Sequence, residues 1–343
     1  MLGYLTDFHH MVKGLYGVFM KRRVAVFVAF LLLITFSSIL IARSRSASPS
    51  LDGTLIYHRY SSYDAWDATL WMVDLPTGQQ MQVGAKWRGM VSPINAHFSA
   101  DGQTITFMGS NSGIVEKDWD VFVSRWDGAT WSEPTNLTGP NGARDEDPKF
   151  SPNGDTIIYK ENGVLATVSK AGGDKKYLTP GQPESSMPFY SPDGKTILFE
   201  RNGSIFTLID GVLTEMRAGA GRSSYYPIAL DNQSFLFTRV QDNDHDAIYK
   251  GFYDRRPSLR YFFNSGDWDS SDSYPLADGS RFIFYVSGNF LIPHGGYNLM
   301  VADLKSQKAY DLDELFDAEK GIDLNSDFEE LGPAWTNVRF THS

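Results

Sequence analysis

One short motif recurs along this chain and limits what it can fold into: a Pro or aromatic residue, a Ser-x-Asp-Gly turn, then a strand rich in β-branched and aromatic residues. The copies read LDGTLIYHRY from Leu51, HFSADGQTITFMGS from His97, PKFSPNGDTIIYKE from Pro148, PFYSPDGKTILFER from Pro188, PIALDNQSFLFTRV from Pro227 and PLADGSRFIFYVSG from Pro275. A weaker copy, GPAWTNVRFTHS, ends the sequence. Asp-Gly and Asn-Gly supply the positive φ angles of tight turns, so each copy reads as a hairpin. The alternation in TILFER or TIIYKE buries one face, while stretches such as ATLWMVDL, DVFVSRW and YNLMVADL supply a third strand and PTNLT or KKYLT a fourth. Turns at Asp52, Asp101, Asn153, Asp193, Asp231 and Asp278 fall 49, 52, 40, 38 and 47 residues apart, the length of a four-stranded repeat.

This pattern predicts an all-β chain folded as a six-bladed β-propeller over residues 51–343. The N-terminal unit has no apolar strand before Leu51, whereas the C-terminus has a surplus strand in GPAWTNVRF. That strand is expected to complete the first blade and so remove exposed sheet edges. Seven blades would need two further strands that the sequence does not contain. The one expected helical insert is AYDLDELFDAEKGIDL, residues 309–324. With 14% aromatic residues, 31 Gly and 16 Pro, the chain can fill a core and supply many turns.

The repeat resembles that of the TolB-like (WD40-like repeat) β-propeller family, most closely in WDGATWSEPTNLTGPNGARDEDPKFSPNGDTIIY, Trp126 to Tyr159. The resemblance covers roughly residues 51–343 and is specific for fold. It implies less about function, because related repeats occur in periplasmic scaffolds, peptidase accessory domains and oligosaccharide lyases.

Ahead of the repeats, Val24 to Ala42 is a run of 19 residues without a charge, about 28 Å as a helix and long enough to span a bilayer. Lys13, Lys21, Arg22 and Arg23 precede it, and Arg43 and Arg45 follow, so the positive-inside rule puts residues 1–23 in the cytoplasm as an N-terminal tail. Residues 43–50 then form a linker, and the propeller lies in the periplasm or exterior, or in the lumen of a eukaryotic secretory pathway. The run exceeds a usual signal-peptide core, which favours an uncleaved signal-anchor. There is no Cys, which removes disulfides and thiol chemistry, and the net charge of -10 excludes a nucleic-acid partner.

In a propeller, the loops entering each innermost strand gather at one face with those joining the second and third strands, around the channel mouth. Here the entering segments carry Arg144, Asp145, Glu184, Arg222, Tyr225 and Asp269, and the ends of the second strands carry Arg59, Arg201 and Arg239. These are candidate ligand contacts: carboxylates and Arg recognise sugar hydroxyls or uronates by bidentate bonds. An acidic mouth is also a candidate for calcium or another divalent cation, though no motif demands a cofactor. Equally, an acid just before the repeat Pro is suited to bonding neighbouring backbone and holding blades together. His97, His245 and His294 are the candidate catalytic bases, none paired at a metal-binding spacing. The propeller-type oligogalacturonate lyases, which share the repeat, pair such histidines closely in sequence, and no nucleophile elbow is present either. The leading expectation is therefore a membrane-anchored, non-enzymatic scaffold for a protein or glycan partner. The alternative is a lyase or hydrolase acting on acidic glycans, for which convergence of two His and an Arg at one mouth is the requirement. An exposed patch built from Trp66, Trp87, Trp119 and Trp268 would favour partner binding.

Overall fold

The structure, a computed structural model, describes residues 51–111, 118–139, 141–216, 222–263, 268–277, 279–288, 296–316 and 324–340. The expected anchor at 24–42, His294 and residues 317–323 of the expected helical insert lie outside the described residues. No described helix is long and apolar enough to cross a membrane.

Each Ser-x-Asp-Gly segment builds the same turn. In LDG-type and SPDG-type copies alike the glycine takes positive φ, as Gly102 (67°), Gly154 (72°) and Gly194 (71°) do. The serine hydroxyl donates to the turn's Asp or Asn: Ser99 to Asp101 at 2.6 Å, Ser151 to Asn153 at 2.6 Å and Ser191 to Asp193 at 2.7 Å. The same hydroxyls accept from Thr104, Thr156 and Thr196 backbone N–H groups, which starts the next strand in register.

Six four-stranded antiparallel sheets result. Their innermost strands are Val91–Phe98 in blade 2, Asp145–Phe150 in blade 3, Ser185–Tyr190 in blade 4, Ser224–Ala229 in blade 5 and Asp269–Pro275 in blade 6. Blade 1 takes its innermost strand from the C-terminus: Glu329–Thr336 pairs with Thr54–Tyr60, which is followed by Thr69–Asp74 and Gln79–Val83. The surplus strand therefore closes the ring as the sequence predicts, and six is the blade count. Trp335 Nε1 donates to Asp52 O at 2.8 Å across the closure.

The core lies between blades. Ile56, Leu70, Phe98, Ile105, Phe107 and Ala334 form one such layer between blades 1 and 2. Phe107, wholly buried, contributes about 2–3 kcal/mol by burial alone.

Part of the expected helical insert is corrected. Lys308–Asp311 is the outermost strand of blade 6, and among the described residues of the insert only Leu312–Leu315 is helical, capped by Asp311 accepting from Asp313 N–H. Pairing with Tyr297–Asp303 gives Ala309 and Tyr310 a sheet neighbour and overrides their helical propensity.

Candidate functional site

Every innermost strand carries an extra residue in mid-course, and that of blade 2 carries a second one at Ser92 and Pro93. Blade 3 shows the rule: Glu146 pairs with Lys160 but Lys149 with Ile158, so two residues, Asp147 and Pro148, face one on the neighbouring strand. The same bulge recurs in the other five innermost strands. At each of the six equivalent bulges one residue has positive φ: Asn95 (55°), Asp147 (55°), Met187 (54°), Tyr226 (47°), Asp272 (47°) and Gly332 (60°); the second bulge of blade 2 adds Ser92 (50°). In four blades a Pro follows, tolerated because a bulge already interrupts the ladder. All six residues of the equivalent bulges line the waist of the central channel, a space of about 60 Å³.

The waist holds a charged cluster that combines both signs: Asp147, Asp272 and Lys149. Their side chains face the lumen and are surrounded by protein. Burial lowers the Lys149 ammonium from its ordinary value, against the attraction of Asp147 and Asp272. Burial raises Asp147, and it pushes Asp272 up to about 7, helped by repulsion from Asp147 and opposed by Lys149. Asn95 Nδ2 donates to Asp147 at 2.9 Å. One oxygen of Asp272 accepts from Gly332 N–H at 3.4 Å, while the other, Oδ1, is buried without a partner among the described residues.

On the turn side of the waist, His97 crosses the channel. Its Nδ1 accepts from Phe150 N–H of blade 3 at 3.2 Å, which leaves the proton on Nε2, 3.1 Å from the Tyr274 hydroxyl of blade 6. Phe189 of blade 4 packs edge-on at 5.7 Å. Burial, with Lys149 nearby, lowers His97 to about 3, so the ring is neutral. This aromatic stopper separates the waist from a funnel of about 450 Å³ that opens between the Ser-x-Asp-Gly turns.

On the opposite side lies the mouth predicted to carry function, a cavity of about 310 Å³ lined by His58, Tyr60, Asn95, Tyr225, Tyr226, Asp246, Asp272, Tyr297 and Glu329. The Tyr225 hydroxyl donates to Asp246, and Tyr297 donates to Asp269 at 2.8 Å. Burial raises Asp246 to about 6, although the Tyr225 bond opposes it. His58 is lowered by burial to about 3 and accepts from Asn95 N–H at 3.4 Å. Among the described residues, no Lys or Arg lines this cavity.

The candidates named from sequence separate accordingly. Tyr225 lines the mouth. Asp269 lies beneath it, accepting from Asp246 N–H at 2.8 Å and meeting His245 Nδ1 at 3.2 Å. His97 is on the far side of the waist, so the described candidate bases His97 and His245 do not meet at one mouth. Arg201 is buried and donates to Pro183 O at 3.0 Å, Arg59 pairs with Glu330 at 2.8 Å, and Arg239 lies 5.6 Å from the Tyr249 ring. Arg222 pairs with Asp244 and bonds Asp242 O at 3.1 Å. Arg144 pairs with Glu146, while Glu184 meets Lys160 at 2.9 Å and so ties blade 4 to blade 3. Asp145 is fully buried and raised by burial to about 7, with Asn141 as a partner at 3.3 Å. No group of three His, Asp or Glu among the described residues is placed to hold a metal ion. Nor do the tryptophans form one exposed patch. Trp119 is buried against Trp66 and Trp87 stacks on Phe107, whereas Trp268 is 41% exposed on the rim.

Sequence reasoning does not single out Asp147, Lys149, Asp272, Asp246 or His58. The signal for Lys149 is faint but real: aligning the copies sets it beside His97 and Phe189, a charged residue where the strand interior is otherwise aromatic or aliphatic.

A ring of six such blades about a stoppered channel defines a TolB-like β-propeller fold. The chain aligns with TolB of Acinetobacter baumannii at a TM-score of 0.64 and 14% identity, over 84% of this chain and 67% of that one. Hydrazine synthase of Kuenenia stuttgartiensis aligns at 0.59 and 13% identity, over 85% of this chain and 48% of that one. A chain of a nidogen–laminin complex aligns at 0.57 and 12% identity, over 84% of this chain and 100% of that one. No protein-family model matches the sequence, and no curated protein does.

Proposed function

We propose that this chain is a membrane-tethered, extracytoplasmic binding scaffold whose mouth, at the end of the channel away from the Ser-x-Asp-Gly turns, docks a protein partner. The observation that carries the reading is the composition of that mouth. It is a preformed cup of tyrosines and carboxylates without a lining Lys or Arg among the described residues, rimmed by exposed Trp268 and Phe328 at the starts of the innermost strands of blades 6 and 1. Exposed aromatics around a concave site are favourable anchors for a partner. A uronate would meet carboxylates there with no Lys or Arg among the described lining residues to neutralise it, which weighs against an acidic glycan and against the lyase reading. The tether, residues 24–42, raises the effective concentration toward partners in the same membrane.

A photocrosslinking residue at position 268 or 328 of the full chain in membranes is expected to give discrete adducts that the same residue at exposed Val212, on an outer hairpin, does not. Equal labelling at all three positions would overturn the reading. Unsaturated product released from uronate oligosaccharides by the purified full chain would overturn it in favour of an enzyme.

A further inference from the structure

We propose that the mouth cavity is a recognition site for a primary ammonium group, seated among Tyr60, Tyr225, Tyr226 and Tyr297 with Asp272 and Asp246 as its counter-charges. This rests on the reading of the mouth as the docking face and names the chemistry docked there.

Three independent features of the cavity agree. Its size, about 310 Å³, is at the small end of ligand pockets, suited to a side chain or a small amine rather than an oligosaccharide. Four tyrosines contribute to its wall, and an aromatic wall attracts a cation through the ring quadrupole, most strongly where water is excluded. Among the described residues its ionisable lining is one-sided: Asp246, Asp272 and Glu329 are present, Lys and Arg are not, and His58 is held neutral by burial.

The floor of the cavity chooses between kinds of cation. Asp272 Oδ1 is buried and has no hydrogen-bond donor among the described residues. A buried carboxylate oxygen in that state carries an uncompensated desolvation cost, which a donor entering from the mouth removes. A primary ammonium brings three N–H donors, and a quaternary ammonium brings none. The tyrosines by themselves would accept either, so it is Asp272 that makes the site selective for N–H. Lys149 does not supply the donor: its ammonium bonds Pro148 O at 3.3 Å on the waist side. The rise of Asp272 and Asp246 to about 7 and about 6 fits this arrangement, since a bound cation favours both charged forms.

The group has two sources, a free amine or a lysyl side chain of the partner, and the probes separate them. The purified full chain in detergent is titrated calorimetrically with n-butylamine, with a blocked lysine (acetylated and amidated), and with tetramethylammonium, butanol and galacturonate. Saturable binding of butylamine or blocked lysine is expected, at least about tenfold tighter than tetramethylammonium, with none for butanol or galacturonate. Tighter binding of blocked lysine than of butylamine assigns the site to a lysyl side chain, and the reverse order to a free amine. Asp272→Asn is expected to weaken the amine at least about tenfold, and Asp155→Asn, on an exposed turn far from the mouth, to leave it unchanged. If Asp272→Asn loses its cooperative thermal transition, Glu329→Gln at the cavity's edge takes its place, with a weakening of about threefold expected.

No saturation by either amine below about 50 mM would overturn the inference, as would equal affinity for tetramethylammonium or amine binding unaffected by these substitutions. Should the amines fail while crosslinks at positions 268 and 328 stay specific, the ammonium site falls and the scaffold stands. Should amines bind while the crosslinks are indiscriminate, the scaffold falls instead.

Discussion

Lys149 is the only lysine or arginine lining the channel among the described residues, and it sits with two carboxylates for which burial is costly. Lys149→Met is therefore expected to destabilise the propeller by about 3 kcal/mol, because it leaves Asp147 and Asp272 without a counter-charge. Adding Asp147→Asn and Asp272→Asn should recover most of that loss, read from urea denaturation midpoints; a triple variant as unstable as the single one would show that Lys149 acts by packing instead. The waist also sets a pH dependence. Asp272 titrates near 7 when folded against an ordinary 3.8, so its contribution to stability is complete below 3.8 and is lost as the pH rises through about 7. His97 has the opposite sign: lowered from 6.5 to about 3, it contributes fully above 6.5 and loses that contribution as the pH falls toward 3. Wild type minus Asp272→Asn stability should thus decline between pH 5 and pH 8, and wild type minus His97→Gln stability should decline between pH 7 and pH 4. Melting temperatures across that range check both slopes.

The element that positions the site is the bulged innermost strand. Six copies of one bulge place six residues around one axis, and they differ in how well they suit positive φ. Asn95, Asp147 and Asp272 are residue types that tolerate it, Gly332 is free of the constraint, and Met187 and Tyr226 are held there by their surroundings. Gly332 has a second reason to be glycine: a Cβ on it would lie 2.8 Å from the His58 ring. Gly332→Ala should cost about 2 kcal/mol or more in thermal or urea unfolding, combining strain and the clash. A neutral result would mean that His58 moves freely, against its bond to Asn95. At this scale the sequence was largely readable, since Asp-Gly turns and alternating strands are local chemistry. The bulge was not, because an inserted residue is visible only when its strand is paired with a neighbour. For the same reason Ala309 and Tyr310 read as helix but fold as strand.

The whole molecule is held by one non-local event, the pairing of Glu329–Thr336 with Thr54–Tyr60. Removing residues 329–343 deletes the innermost strand of blade 1 and one wall of the channel, and the truncated chain is expected to lose its cooperative unfolding transition. A cooperative melt at near wild-type temperature would show that five blades and a remnant suffice. The tether is testable through composition: the chain has no Cys, so a single Val212→Cys gives background-free labelling. A membrane-impermeant maleimide should label it in intact spheroplasts as fully as after lysis. Labelling only after lysis would place the propeller in the cytoplasm and overturn the topology read from the flanking Lys and Arg.

The blade count, the turns and the closure by a surplus strand were determined by the sequence itself, because each depends on residues close together or on a simple surplus of one strand. The mouth was decided by tertiary structure. Arg59, Arg201 and Arg222, attractive as glycan contacts in the sequence, are spent on Glu330, Pro183 O and Asp244. The tyrosines and carboxylates that form the cup come from three blades, 1, 5 and 6, and meet only when the ring closes. Charge availability and convergence on an axis are properties of long-range packing, which no local pattern of residues encodes.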